Sequence, residues 1–423
     1  MIITAPKLLT LQYGMKPLNN GAVVLSRGII QAAGPASEVM KKYPSHRVHV
    51  FKNAVLMPGL VNLHTHLELP ALQNSIRAET FSGWVLNLIA AKKNLVSNEY
   101  REAAARNIQT QLETGTTTIG DICTHNVSPA LLKRSGLRAV IYHEIISMNP
   151  LSKMPLMPSA FPRSSSQLIR TGISPHAPHT VSELILRNLR KIAHRKKLLL
   201  CMHVAESKDE IMLLRGRKSG FEKLYNSVGW DLAWAPSADS PFQYLHGLGL
   251  LNPNFLVVHA VQAKDGDIQI LRKAGAPVVH CPLSNKEARV GKMPLRKFLD
   301  AGITVGLGTD SLASVPTLNM WDAMRTALQM HRRDGILAET VFKLATINGA
   351  HALGLGKNIG SLQPGKYADI IAVPLPRKDT GDLYSDLLRE TNTCIMSMVN
   401  GHVLYRGEAD AKTRIPPFSP AIP

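Results

Sequence analysis

Val55-Leu56-Met57-Pro58-Gly59-Leu60-Val61-Asn62-Leu63-His64-Thr65-His66 is an apolar run that ends in two histidines. Read as one strand, it places residues two apart on one face. Both imidazoles can then reach one metal ion while Thr65 turns away. An H-x-H pair by itself is weak evidence, since core and surface histidines produce it without a ligand. The reading gains weight because later apolar segments end the same way.

Eight strand candidates stand out, at 55–66, 117–121, 137–144, 170–176, 197–204, 254–260, 277–280 and 303–308. Helical patterns separate them. The one at 97–114 has Ser97 as N-cap, Ala103-Ala104-Ala105 inside and Gly115 just past its end. Helical segments at 319–329 and 342–353 follow the eighth strand. Strands alternating with helices imply parallel pairing, and eight such units fit a (β/α)8 barrel better than an open sheet. The chain ends carry short alternating stretches at 1–53 and 361–410, with Asn400-Gly401 as a hairpin signal. The expected fold is therefore α/β: a (β/α)8 TIM barrel over 54–356 beside a small β-sandwich domain built from both chain ends, 1–53 and 357–415. Residues 150–167 read as a long loop on the active face, and 416–423 as a flexible tail.

Composition narrows the class. The chain has 423 residues, 45% hydrophobic and 19% charged, as in a globular protein. No apolar run reaches the length of a membrane-spanning helix, and the N-terminus lacks the plan of a signal peptide. Cys123, Cys201, Cys281 and Cys394 are scattered without C-x-x-C pairing. That argues against a disulfide framework or a cysteine zinc site and suits a reducing cytoplasm. The net charge of +19 invites a nucleic-acid reading. The densest basic run, 187–197, has helical spacing, with Leu184, Leu186, Leu189 and Ile192 available to face inward. Aromatics make up only 5% and do not interleave with it, so no base-stacking platform is visible. The expected partner is a small molecule, with no nucleic acid and no membrane, and the charge suits an anionic substrate.

Active sites of such barrels lie at the C-terminal strand ends. There stand His64, His66, His176, His203, His259, His280 and Asp310. Neutral imidazoles with a carboxylate suit Zn²⁺ or a similar divalent ion. His64, His66, His203 and Asp310 form the compact ligand set, with room for a water whose pKa the ion would lower towards ~7. Glu206, three residues after His203, is placed to move protons on the same rim. The competing reading is an acid favoured by a helix N-terminus.

These motifs resemble the amidohydrolase superfamily, and within it the cytosine/adenosine-type deaminase and chlorohydrolase group. The matching residues are Pro58-Gly59-Leu60-Val61-Asn62-Leu63-His64-Thr65-His66, Thr114-Gly115-Thr116-Thr117-Thr118, Met202-His203-Val204-Ala205-Glu206-Ser207, Val258-His259-Ala260, His280-Cys281-Pro282-Leu283-Ser284-Asn285, Gly308-Thr309-Asp310-Ser311 and Gly360-Ser361-Leu362-Gln363-Pro364-Gly365-Lys366-Tyr367-Ala368-Asp369. The resemblance implies one divalent ion per subunit, Zn²⁺ with Fe²⁺ as the alternative, on His64, His66, His203 and Asp310. It implies that His259 orients the attacking water and that Asp310 takes its proton. Glu206 would pass that proton to a ring nitrogen and then towards the departing amine. His176 would contact the substrate. No lysine suited to carboxylation ends the fourth strand, which disfavours dihydroorotase- or urease-like chemistry. His280 reads as structural, with Ser284 and Asn285 shaping the pocket. His125, His143 and His179 read as surface or core.

The stretch Leu67-Glu68-Leu69-Pro70-Ala71-Leu72 resembles a subgroup that contains aminofutalosine deaminases. That implies 6-amino-6-deoxyfutalosine as substrate, on the futalosine route to menaquinone. Glu68 would either bind substrate or cap a loop. Trp84 would either stack on a base or pack in its helix. Ser311, beside the strand-eight aspartate, joins the substrate-binding candidates. Methylthioadenosine/S-adenosylhomocysteine and adenosine deaminases are the close competitors, followed by guanine-type deaminases and triazine chlorohydrolases. A catalytically dead scaffold barrel would be expected to lose ligands, and here all are present. Family habit suggests a homo-oligomer.

Overall fold

In the computed structural model, which describes residues 1–149 and 166–407, Pro58-Gly59 splits the opening run between two sheets. The chain begins with β1 (Ile2–Leu8), β2 (Leu18–Ser26), β3 (Ile29–Pro35), β4 (Val48–Val50) and β5 (Ala54–Pro58). β5 pairs with β1 and so belongs to the end sheet. β6 (Leu60–Thr65) starts the barrel. The single strand expected over 55–66 is thus two strands. Gly59 is the hinge: its N–H donates to Asp369 O at 3.0 Å, and a Cβ there would collide with the Thr117 side chain.

The barrel continues with β7 (Thr116–Cys123), β8 (Arg138–Ile145), β9 (Ile169–Pro175), β10 (Leu199–Val204), β11 (Phe255–His259), β12 (Val278–His280) and β13 (Val305–Leu307). All eight candidate segments contribute a strand, each parallel to its sequence neighbour. A parallel bridge between Thr65 and Asp310 joins the last strand to the first. Asp310 and Thr309 both donate their N–H to His64 O at 3.0 Å. Closure therefore sets the eighth-strand aspartate against the first-strand histidines. Val61, Ile122, Tyr142, Cys201, Val258 and Val279, from six different strands, pack together inside.

The other end of the chain supplies β14 (Ile370–Pro374), β15 (Met396–Val399) and β16 (His402–Arg406). The end sheet runs β16-β15-β14-β5-β1-β2-β3, with β4 also on β1. Both chain ends thus build one mixed eight-stranded sheet, and residues 54–58 belong to it rather than to the barrel. Asn400 and Gly401 take φ of 50° and 79° between β15 and β16, the conformation an Asn-Gly hairpin turn requires. Arg138 on β8 forms a buried two-pronged ion pair with Asp369 before β14, at 2.9 and 3.0 Å, tying sheet to barrel.

Local signals mostly act as the sequence suggests. The helix Ser97–Glu113 ends at Gly115 (φ 87°), but its N-cap is Val96, whose N–H donates to Glu99. The basic run lies on the helix Glu183–Lys196, which buries Ile185, Leu186, Leu189 and Ile192. Leu184 is exposed, so Ile185 takes the inward place expected of it. The segments 150–165 and 408–423, which include most of the expected active-face loop and the whole tail, lie outside the described residues. No described helix is long and apolar enough to cross a membrane.

Candidate metal and catalytic centre

Strand ends deliver the cluster. His64, His66, His203 and Asp310 are buried, and each offers a ligand atom within 4.8 Å of the others. Asp310 Oδ1 lies 3.7 Å from His64 Nε2 and 3.5 Å from His66 Nε2. His203 Nδ1 donates to His176 O at 2.9 Å, which leaves Nε2 bare for a ligand role. Ser284 Oγ donates to Asp310 Oδ2 at 2.6 Å and fixes the carboxylate.

Burial lowers the His64 pKa to about 4 and that of His66 to about 3, so both rings are neutral and keep a lone pair. Burial opposes ionisation of Asp310. The His64 ring beside it, with His66 and His259, outweighs that and holds the carboxyl well below its usual range. The Nε2 atoms of His64 and His259 are buried without a hydrogen-bond partner. Orphaned, neutral nitrogens facing an ionised carboxylate fit a divalent cation.

A second group overlaps the first. Glu206 Oε1 is 3.5 Å from His259 Nε2, and Asp310 Oδ2 is 4.0 Å from it. Burial pushes the Glu206 carboxyl up to about 8, with Asp310 adding to the rise against His203. Its backbone is held by Glu210, whose carboxylate accepts from Ala205 N at 2.9 Å and Glu206 N at 3.0 Å. Ala205, His259 and Asp310 all have positive φ, of 54°, 72° and 70°. Such backbone costs ~1–3 kcal/mol per residue and persists here because strand ends and side-chain bonds over-determine it. It turns the side chains into the barrel mouth.

The mouth opens into a cavity of about 330 Å³. His66, His176, His203, Glu206, Asp310 and Ser311 line its floor. Phe81, Trp84 and Leu88 from the helix Phe81–Lys92, with Leu224, Val228 and Trp230, form an apolar wall. Lys92 is the one Lys or Arg among the described lining residues. Trp84 both lines the cavity and stacks on Phe81, with ring centroids 5.7 Å apart. His176 bonds Thr180 Oγ1 through Nδ1 at 2.8 Å, and burial keeps its pKa well below normal.

Glu68, read as binding substrate or capping a loop, is not among the described residues that line this cavity. Its carboxylate accepts from the backbone N–H groups of Thr124, His125, Val127 and Ser128, at 2.6–3.0 Å. All four donors surround the start of the helix Ser128–Ser135, so the loop consumes the charge. His179, read as surface or core, is buried on the cavity wall, stacked on Phe221, with Nδ1 unpartnered. Lys92 and Glu210 were missed. Glu210 had a signal, the Ser207-Lys208-Asp209-Glu210 pattern of a capping box, and Ser207 does cap that helix. Lys92 had none.

A family model, the amidohydrolase family, matches residues 55–404. The chain belongs to the amidohydrolase family. A 5-methylthioadenosine/S-adenosylhomocysteine deaminase of Thermococcus kodakarensis is 31% identical over 80% of this chain and 79% of its own length. The solved aminofutalosine deaminase of Helicobacter pylori superposes with a TM-score of 0.85 at 25% identity, covering 95% of this chain and 99% of that one. An adenosine deaminase from Xanthomonas campestris, solved with bound zinc, gives 0.80 at 25% identity, covering 95% and 92%. Family and relatives together make this amidohydrolase a hydrolytic deaminase.

Proposed function

We propose that this amidohydrolase deaminates an adenine nucleoside whose 5′ side carries an apolar, anionic group, with 6-amino-6-deoxyfutalosine the best fit. The observation that carries the reading is the cavity: an apolar aromatic wall, a single lysine among the described lining residues, and a floor of His, Glu and Asp. A carboxylated aryl group would lie along Phe81, Trp84 and Trp230 with its charge towards Lys92. The adenine ring would face the floor.

His64, His66, His203 and Asp310 would hold the divalent ion, most simply Zn²⁺. Bound there, the ion would lower the pKa of a water towards ~7. His259 Nε2 accepts a hydrogen bond from the attacking water and orients it, and Asp310 takes its proton. Glu206 gives its proton to the ring nitrogen beside the attacked carbon as the water oxygen bonds to that carbon, and the proton held by Asp310 passes to the amine. The carbon–nitrogen bond breaks, ammonia leaves, and the hydroxyl proton returns to Glu206 as the ring carbonyl forms. His176 and Ser311 border the base, and Trp84 borders the 5′ group. The futalosine route to menaquinone, in the cytoplasm, would then be the setting.

Methylthioadenosine or S-adenosylhomocysteine is the second reading, supported by the 31% identical relative. Ammonia release and ultraviolet spectra from the zinc-loaded protein test both, with aminodeoxyfutalosine, methylthioadenosine, adenosylhomocysteine, adenosine, guanine and cytosine. The proposal expects the highest kcat/KM on aminodeoxyfutalosine. It also expects Lys92→Met to raise KM for that substrate about tenfold, one charge-assisted contact's worth, and to leave methylthioadenosine unchanged. Preference for methylthioadenosine with no effect of Lys92→Met would overturn it.

A further inference from the structure

A line of hydrogen bonds leaves the catalytic centre and reaches the rim of the barrel. His259 Nδ1 bonds Asn285 Oδ1 at 2.8 Å, and Asn285 Nδ2 approaches His280 Nδ1 at 3.4 Å. His280 Nε2 meets His331 Nε2 at 3.1 Å, and His331 Nδ1 meets Asp334 Oδ2 at 3.0 Å. His259, His280 and His331 are wholly buried and Asn285 almost so. Asp334 is partly exposed and is paired with Lys292 at 2.5 Å. The line crosses four elements: the ends of β11 and β12, the helix Pro282–Glu287 and the helix Met320–His331 with the turn after it.

The proton positions follow from the anchor. A carboxylate only accepts, so His331 Nδ1 carries the proton. Burial lowers the pKa of His280 and His331, so each of these two rings is neutral and holds one proton. His331 Nε2 is then bare and must accept, which puts the His280 proton on Nε2. His280 Nδ1 is bare in turn and accepts from the Asn285 amide. Asn285 presents its oxygen to His259, whose Nδ1 donates. Every step has one polarity, and reversing any one sets two donors or two acceptors face to face.

We propose that Asp334 is a positioning residue that, through His331, His280 and Asn285, holds His259 as the Nδ1–H tautomer. His259 Nε2 is thereby bare where it faces Glu206 and Asp310, and can accept a hydrogen bond from the attacking water. With the line reversed, an N–H would point at the water instead. The inference rests on the deaminase reading only for its effect on rate.

The test uses zinc-loaded protein labelled with ¹⁵N-histidine. Long-range ¹H–¹⁵N spectra distinguish the two tautomers, and a His259→Gln sample identifies the signals. The wild type is expected to show His259 protonated on Nδ1 alone. Asp334→Ala is expected to mix the tautomers and lower kcat about tenfold, with KM within about twofold and zinc content unchanged. Asp334→Asn, whose amide oxygen still accepts from His331, is expected to restore most of the rate. Nε2 protonation in the wild type, or an unaltered tautomer in Asp334→Ala, would overturn the proposal. So would a tautomer change with no loss of kcat. The spectra need no substrate, so failure of the substrate assignment leaves them readable.

Discussion

Glu206→Gln separates proton transfer from metal binding. Glu206 lies outside the four-residue ligand set, 3.5 Å from His259 Nε2, and its backbone is held by Glu210. Glutamine keeps the size and the backbone bond but has no carboxyl proton to give. Burial pushes the Glu206 carboxyl to about 8, close to a neutral working pH, where a general acid or base is most effective. Such a group contributes ~10²–10⁴-fold. The expected loss is therefore ~10³-fold in kcat, or ~4 kcal/mol of barrier. KM should move only a few-fold, and zinc should remain at one per chain. Ammonia release at saturating substrate gives the rate, and atomic absorption gives the metal. A variant within tenfold of wild type with zinc bound would refute the proton-transfer role. Loss of zinc would instead make Glu206 a ligand.

Two further substitutions test the scaffold around the site. Glu68→Ala strands the four backbone N–H groups that its carboxylate satisfies, so stability should fall by ~3 kcal/mol or more while KM stays put. A raised KM at unchanged thermal midpoint would return Glu68 to the substrate. Asp121 tests the pH response, because burial, with Glu68 nearby, raises its pKa from 3.8 to about 7. The folded state then binds the extra proton between those values. Stability from this group falls as pH rises through the window, by ~4 kcal/mol in all. Asp121→Asn keeps an oxygen for Leu67 N and an amide that can reach Ser128. Its stability advantage over wild type should grow from pH 5 to pH 8 in denaturant titrations, and a constant gap would contradict the assignment.

Much of the architecture is written locally. Strand and helix periods alternate eight times, Asn400-Gly401 makes its turn, and Gly115 ends its helix, because each depends on neighbours a few residues apart. The convergence of His64, His66, His203 and Asp310 was legible for a different reason. In a closed parallel barrel every strand ends on one rim, so residues far apart in sequence converge without any pairwise signal. Tertiary structure alone decided the rest. Whether Glu68 met substrate or loop depended on where residues 124–128 return. Lys92 and His179 became cavity residues only when their elements closed over the barrel mouth. The split at Pro58-Gly59 followed from Asp369 and Thr117, each far along the chain. The line from His259 to Asp334 joins side chains of five separated residues, and its polarity comes from a carboxylate at its far end. Local spacing determines what a segment becomes, whereas the use of a buried charge is set by contacts that exist only after the chain has closed on itself.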